Sequence, residues 1–186
     1  MSGFRPGDLL VASVTVSDGV FDGAVVLVLD ADESGTVGVV LNRISPVNLD
    51  SALPAWAEFV CQPQVLFDGG PVSQQGAVCL GELRDPEAVP LGWRPVTGRL
   101  GLLNLEVPPQ DSAGAFARLR VFGGFAGWDP GQLEEEIEFG MWHVVVPMAE
   151  DPFDAMPETL WRRVLRRQGG DLALFSTWPD DSVELN

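Results

Sequence analysis

The chain has 186 residues, 46% of them apolar, which is enough to bury the core of one domain but leaves little room for two. With 27 acidic residues against 11 basic ones and a formal net charge of −16, it should repel phosphate backbones, so direct nucleic-acid binding is not expected. No apolar run approaches the roughly 20 residues that cross a bilayer, and no secretory segment opens the chain, so we expect a cytoplasmic protein without membrane contact.

Short runs rich in leucine and β-branched residues predict buried strands along the chain, the first three at residues 9–13, 25–29 and 37–41. Acidic, turn-forming residues 30–35 separate the second run from the third, so we expect an antiparallel hairpin there. A calcium loop is disfavoured, because its last ligand position is Leu41. Further strands are predicted at residues 64–67, 77–80, 101–105, 119–122 and 142–146.

Two weaker patterns predict helices at residues 49–59, where Pro54 must start or break the helix, and at residues 112–118. A clearer one begins at Asp129, the expected N-cap. Its Pro130 is preset for the first helical position, and Gln132 can reach back in a capping box.

This third helix is expected to end at Gly140, and a fourth is predicted at residues 159–168. The arginines of the fourth helix are interpreted as balancing its dipole and nearby carboxylates, with a partner contact as the alternative; they are Arg162, Arg163, Arg166 and Arg167. The terminal residues 1–6 and 178–186 are expected to be loose.

The usual catalytic signatures, a nucleophile elbow, a phosphate loop or a dinucleotide-binding turn, do not occur in the sequence. His143 is the only histidine, and Cys61 and Cys79 form no metal or redox motif, so no catalytic residue, metal site or cofactor is predicted. The glycine-rich residues 123–127 predict a tight turn from a strand into a helix, with anion binding by their amides as the alternative.

Residues 123–137, GGFAGWDPGQLEEEI, resemble the signature of the bacterial YqgE/AlgH family. Matching segments occur in the same order at residues 7–12, 38–43 and 69–72, together with Phe21 and Trp142, so the resemblance covers about residues 7–170. One departure is Phe125, which stands where tyrosine is common in the family.

The resemblance implies a cytosolic α+β protein of one domain, with a bent, mixed or antiparallel sheet curled into a partial barrel and helices outside it. The resemblance implies no established enzymatic activity and no cofactor. Some members are described as transcriptional regulators; because this chain is so acidic, any such role here is expected to be indirect.

The motif residues fall at predicted element ends, so we expect them to gather in one shallow ligand-binding groove. Arg43 would supply a forked donor, Trp128 a flat apolar platform and Glu136 an acidic partner. The equally weighted alternative is a structural cluster in which Arg43 pairs with Glu136. The predicted groove residues are Asn42, Arg43, Gly69, Gly70, Pro71, Gly127, Trp128, Gln132 and Glu136.

The leading functional hypothesis is a non-enzymatic module that binds a small polar ligand or a protein partner through this groove. The first alternative is a hydrolase or transferase in which Glu134, Glu136 or Asp129 acts as a general base near Arg43. A second alternative, transcriptional regulation by direct DNA contact, would require a basic surface.

Overall fold

The computed structural model describes residues 3–17 and 19–178. Its first three strands, β1 (Leu9–Ala12), β2 (Val25–Asp32) and β3 (Gly35–Val40), pair antiparallel in chain order, which confirms the predicted hairpin. Alternate side chains of these strands enter two separate core clusters, one on each face of the sheet. Burial on both faces is the reason why the three strands are continuous apolar runs in the sequence.

Within the described residues the sheet has nine strands in the order β6-β7-β5-β8-β3-β2-β1-β9, with β4 paired to β8 beside this path. It is antiparallel except for the parallel pair β4–β8, and it curls into a partial barrel, so the predicted single α+β domain is confirmed. The later strands are β4 (Phe67–Asp68), β5 (Val72–Leu83), β6 (Trp93–Thr97), β7 (Leu100–Leu103), β8 (Phe116–Trp128) and β9 (Trp142–Val145).

Strand β8 runs through the glycine-rich segment, so the predicted turn at residues 123–127 is wrong, and the anion-binding alternative loses its turn. Within this segment, Gly124 permits close approach: its φ is +71°, and a Cβ placed on it would lie 2.6 Å from the Gly70 carbonyl oxygen. Gly70 has a φ of +146°, and a Cβ placed on it would lie 2.3 Å from the Phe125 carbonyl carbon of β8. Small residues on both sides therefore let residues 69–70 pack directly on the strand.

The helices are short, and they lie outside the sheet: α1 (Leu49–Ala52), α2 (Pro109–Ser112), α3 (Gln132–Glu138), α4 (Leu160–Gln168) and α5 (Gly170–Phe175). Single 3₁₀ turns occupy Ala57–Phe59, Ala113–Ala115, Asp151–Phe153 and Pro157–Thr159. At no described position is a helix long and apolar enough to span a membrane.

Two helix predictions need correction. The expected helix at residues 49–59 stops at Ala52 and leaves only a 3₁₀ turn beyond Pro54, because proline cannot continue a helical hydrogen-bond ladder. The expected helix at residues 112–118 is wrong, since β8 already begins at Phe116. The edge strand β6 was not predicted, because Arg94 and Pro95 interrupt its apolar pattern.

The start of α3 follows its prediction in part. The Gln132 side-chain oxygen accepts a hydrogen bond from the Asp129 amide at 3.0 Å, as expected of a capping box. The helix itself begins later, at Gln132, because Gly131 adopts a φ of +81° and takes the N-cap position predicted for Asp129. Gly140, with a φ of +72°, follows the helix end as predicted.

Two of the four arginines of α4 pair with carboxylates, as the carboxylate-balancing interpretation predicts. Arg163 binds both oxygens of Asp154, at 2.8 and 2.6 Å, and Arg167 binds both oxygens of Asp151. Arg162 donates to main-chain carbonyls that follow α5. The expected loose tail lies outside the described residues apart from its first residue, as do residues 1–2 at the other end.

Candidate functional site

Three aromatic rings of the family-like motifs form one compact cluster. Phe21 lies 5.9 Å from Trp128 and 5.4 Å from Trp142, measured between ring centroids, and the two indoles are 5.8 Å apart. Trp128 is only 5% exposed and Trp142 only 3%. The indole of Trp128 is therefore a packing element of the core and does not present an open platform to solvent.

Glu136 connects this cluster to α3. Its Oε2 accepts hydrogen bonds from both indoles, from Trp128 Nε1 at 2.9 Å and Trp142 Nε1 at 2.8 Å, while Oε1 accepts one from Gln132 Nε2 at 2.9 Å. Buried indole N–H groups need an acceptor, and one carboxylate serves two of them.

Arg43 lies in a different part of this network, so the predicted Arg43–Glu136 ion pair is wrong. The Arg43 guanidinium donates to the main-chain carbonyls of Val20 and Asp22, the second at 3.2 Å. The two terminal nitrogens of Arg43 thus hold the loop on either side of Phe21, which packs in the aromatic cluster. Arg43 does not pair with Glu136 because it lies beside this loop, whose carbonyls accept the hydrogen bonds that the guanidinium donates.

Asn42 holds the same loop from its other end. Its side-chain oxygen accepts from the Val25 amide at 2.9 Å, and its side-chain nitrogen donates to the Gly23 carbonyl at 2.8 Å. Both positions of the Asn42–Arg43 motif therefore order a loop.

The glycine-proline motif packs against the middle of β8. Gly69 donates from its amide to the Gly123 carbonyl at 2.9 Å and accepts from the Val40 amide at 2.9 Å. Pro71 is exposed, and Gly127 pairs with Val37. The structure thus brings Trp128, Gln132 and Glu136 together and connects Asn42 and Arg43 to them through Phe21, without one open groove around all nine residues. A ligand-binding role for this set stays a prediction.

An open cleft of about 450 Å³ lies beside this network, between the β2–β3 hairpin and the junction of β8 with α3. Gly35 brings the hairpin tip against β8: its φ is +132°, and a Cβ there would lie 2.3 Å from the Trp128 carbonyl oxygen. We call this the aspartate cleft. Its lining includes the carboxylates Asp30, Asp32 and Asp129, the polar Ser34 and Gln132, the apolar Val37, Val72 and Phe125, and Gly127.

The strand register places this lining on one face of the sheet. Asp30 pairs with Val37, and Val37 pairs with Gly127, so a carboxylate, an apolar side chain and a bare glycine lie side by side. Phe125, two residues before Gly127 on β8, shares that face. The cleft therefore combines an apolar surface with negative charge at its end.

The three carboxylates differ in their partners. Asp30 forms an ion pair with Arg94 at 2.9 Å. Hydrogen bonds from the hydroxyl and amide of Ser34 hold the pKa of the Asp32 carboxyl below its ordinary value. The Asp129 carboxylate makes no hydrogen bond within the described part of the chain, and both it and Asp32 are exposed.

These carboxylates do not form a metal cage. Among residues 3–17 and 19–178, no three carboxylate, thiol or imidazole side chains come together as metal ligands do. Residues 30–35 were predicted only as the turn of a hairpin, and the cleft was not predicted, because the end of β8 that faces this turn carries no strand pattern in the sequence.

Comparison with known proteins gives one consistent result. A model of the AlgH-like family matches residues 9–173. A relative from Streptomyces coelicolor is 49% identical over 178 residues, which cover 94% of this chain and 92% of the relative. A relative from Mycobacterium tuberculosis is 40% identical over 180 residues, covering 95% of this chain and 89% of the relative.

Solved structures agree with the fold. The crystal structure of a protein from Corynebacterium diphtheriae superposes with a TM-score of 0.88 at 34% identity, covering 94% of this chain and 93% of the other. The solution structure of the AlgH protein from Pseudomonas aeruginosa gives a TM-score of 0.71 at 23% identity, covering 96% of each chain. At that lower identity the likeness concerns the fold alone.

Proposed function

Given that the chain belongs to the AlgH-like family, we propose that it is a non-enzymatic binding module whose aspartate cleft takes a small organic cation. The observation that carries this proposal is the composition of the cleft: three carboxylates and two neutral polar side chains beside apolar surface, in a volume of about 450 Å³. Small-ligand sites in proteins have volumes of roughly 300–1,000 Å³ and combine apolar lining with a few polar groups in this way.

The charge of the lining selects the ligand class. An amine or guanidine with a methylene chain would place its charged end near Asp32 and Asp129 and its chain along Val37 and Phe125. The ion pair of Arg94 with Asp30 supports this choice, because a guanidinium already binds one carboxylate of the cleft lining. Since the carboxylates do not converge on one point, an extended organic cation fits them better than a metal ion.

The enzymatic alternative has less support. A general base acts through a carboxylate oxygen that faces the substrate, whereas Glu136 uses three of its roughly four acceptor sites for side-chain hydrogen bonds within the fold. Arg43, the expected positive partner, donates to two carbonyls of its own loop. The net charge of −16 likewise disfavours direct DNA contact, so a regulatory role would act through another molecule. The free thiols of Cys61 and Cys79 suit the cytoplasm, where we place this activity.

The test is a thermal-shift titration with agmatine and spermidine at constant ionic strength, followed by calorimetry. A cation present at about 100 times its dissociation constant should stabilise the fold by roughly 2.7 kcal/mol. Asp129→Asn combined with Asp32→Asn should remove most of this stabilisation, because the two exposed carboxylates of the cleft are then neutral.

Asp171→Asn, an exposed acid of α5 outside the cleft lining, is the matched control and should behave like the parent. If the double variant still responds like the parent, or if sodium chloride of equal ionic strength reproduces the shift, the cleft is not a cation site.

A further inference from the structure

Arg120 of β8 is a guanidinium enclosed in the core. The residue is 1% exposed, and its two terminal nitrogens donate to main-chain carbonyls, Nη1 to Asp154 at 2.8 Å and Nη2 to Gln62 at 2.7 Å. Its Nε is buried and has no hydrogen-bond partner among the described residues. A buried donor without a partner is rare and costly, so this position calls for an acceptor.

The positive charge of Arg120 also lacks a carboxylate contact in the described part of the chain. The nearest carboxylate in its network, Asp154, gives both oxygens to Arg163 and offers Arg120 only its main-chain oxygen. The Phe67 ring lies 4.4 Å from the guanidinium carbon and stabilises the charge only in part. A buried cation normally has an anion beside it.

The Cys61 thiol interacts electrostatically with this guanidinium, so a sulfur lies beside the charge of Arg120. Cys61 donates its amide to the Leu119 carbonyl at 2.8 Å, and the carbonyl of the following residue, Gln62, accepts from Arg120. These two bonds interlock the cysteine with the strand that carries the arginine. Cys61 is partly exposed, so reagents can reach it.

Burial raises the pKa of the Cys61 thiol, and the charges of Arg120 and Arg118 offset this only in part. At neutral pH the sulfur is therefore protonated and uncharged, and it does not neutralise Arg120. An oxidised form of the Cys61 sulfur that is more acidic than the thiol could carry a negative charge and neutralise Arg120.

We propose that Cys61 is a site of reversible oxidation, at which Arg120 is the built-in counter-ion of the oxidised sulfur. The Cys61 sulfur attacks the terminal oxygen of a hydroperoxide; an S–O bond forms, and the O–O bond breaks. The sulfur loses two electrons, the peroxide is reduced to an alcohol or water, and the thiol proton goes to this leaving oxygen. The resulting sulfenic acid is more acidic than the thiol, and its anion accepts a charge-assisted hydrogen bond from Nε of Arg120.

Reversal uses a small thiol. The thiol attacks the oxidised sulfur and releases its oxygen as water, which leaves a mixed disulfide on Cys61. A second thiol then restores the cysteine and departs as a disulfide. Because the Cys61 thiol is protonated at neutral pH, the first step is slow and responds to sustained exposure to peroxide.

Cys79 provides an internal control. It is 1% exposed on β5, and burial raises its pKa to about 12. No arginine contributes to the pKa of Cys79, in contrast to Cys61.

The first experiment treats the intact protein with hydrogen peroxide in the presence of dimedone, which traps sulfenic acids, and locates the adduct by peptide mass spectrometry. We expect Cys61 to be labelled at least about tenfold faster than Cys79, because access and a nearby positive charge govern cysteine oxidation. Equal labelling of the two residues, or none at Cys61, overturns the proposal.

The second experiment tests the counter-ion without oxidation. Cys61→Asp places a permanent anion beside Arg120, and this variant should melt at or above the temperature of the parent. Cys79→Asp buries an unpaired carboxylate and should lower the melting temperature by more than about 5 °C. In an Arg120→Leu background the advantage of Asp at position 61 should disappear. If Cys61→Asp destabilises the protein as much as Cys79→Asp does, Arg120 is not a counter-ion for this site.

Discussion

Glu136 shows how a residue of the family-like signature can be essential to the fold. Its carboxylate is the shared acceptor of two indole N–H groups, one from the end of β8 and one from the start of β9. It also binds Gln132, whose oxygen caps the turn at Asp129. One side chain thus joins the last residue of β8 and the first residue of β9 to the helix between them.

Replacing Glu136 by alanine should destabilise the protein by about 2–6 kcal/mol, because two buried indole donors would lose their acceptor at about 1–3 kcal/mol each. Chemical denaturation followed by tryptophan fluorescence measures the change. Glu138→Ala, an exposed position in the same helix, should change the free energy of unfolding by no more than about 0.5 kcal/mol. Equal effects of the two substitutions would show that the indole contacts contribute little.

Individual residues could be selected from the sequence more easily than their partners could. The motif singled out Arg43 and Glu136, and one of its two interpretations was that they pair. The true partners of Arg43 are carbonyls of the loop that holds Phe21, and a carbonyl carries no sequence signal. Partners of this kind depend on the path of an irregular loop, which periodicity does not predict.

At the scale of elements, α5 is attached to the sheet through a stacked contact. The His143 ring of β9 lies 6.3 Å from the Phe175 ring of α5, measured between centroids, at an interplanar angle of 16°. The Nε2 atom of His143 is buried and has no partner among the residues described. Burial lowers the pKa of this histidine, so the contact is made by the neutral ring.

Stability should therefore fall as the pH drops below about 6.5, the ordinary pKa of histidine. The pKa is lower in the folded state than in the unfolded one, so the unfolded state binds the proton first. The contribution of the neutral ring is complete above the unfolded pKa and is lost as the pH falls toward the folded value. Urea unfolding at about pH 7.5 and 5.5 measures this loss in a range where most carboxylates stay ionised.

His143→Leu should flatten this pH dependence, and because the sequence has only one histidine, no second imidazole can obscure the result. An unchanged slope in the variant would assign the pH dependence to carboxylates instead.

The sequence predicted elements well where one pattern dominated. The apolar runs of β1, β2 and β3 and the turn between the last two identified the hairpin, and glycine marked the end of α3. The sequence pattern did not predict the second half of β8 as a strand, because this half is rich in glycine, which usually indicates a turn. Of those glycines, Gly124 is explained by a long-range contact, because a Cβ there would lie 2.6 Å from the Gly70 carbonyl oxygen.

At the scale of the whole molecule, the net charge of −16 should affect the stability of the fold. The carboxylates repel one another in the compact state, and dissolved salt screens this repulsion. Raising sodium chloride from about 0.02 to 0.5 M should increase the melting temperature by a few degrees, because the screening length shrinks to a few ångströms over this range.

Potassium chloride at the same concentrations should give the same increase if screening is the cause. A fall in melting temperature with salt would show instead that ion pairs such as Arg163–Asp154 outweigh the repulsion.

The pairing of β8 also sets the order in which a newly made chain can fold. β8 hydrogen-bonds to β3 at its end and to β4 and β5 along the rest of its length, so both halves of the sheet need this strand. During vectorial synthesis β1, β2 and β3 leave the ribosome first, yet the flank of β3 stays open until Trp128 has emerged. The nascent hairpin therefore keeps an unpaired backbone edge exposed while the chain from β4 to the end of β8 is synthesised, and such an edge can pair with other chains unless a chaperone covers it.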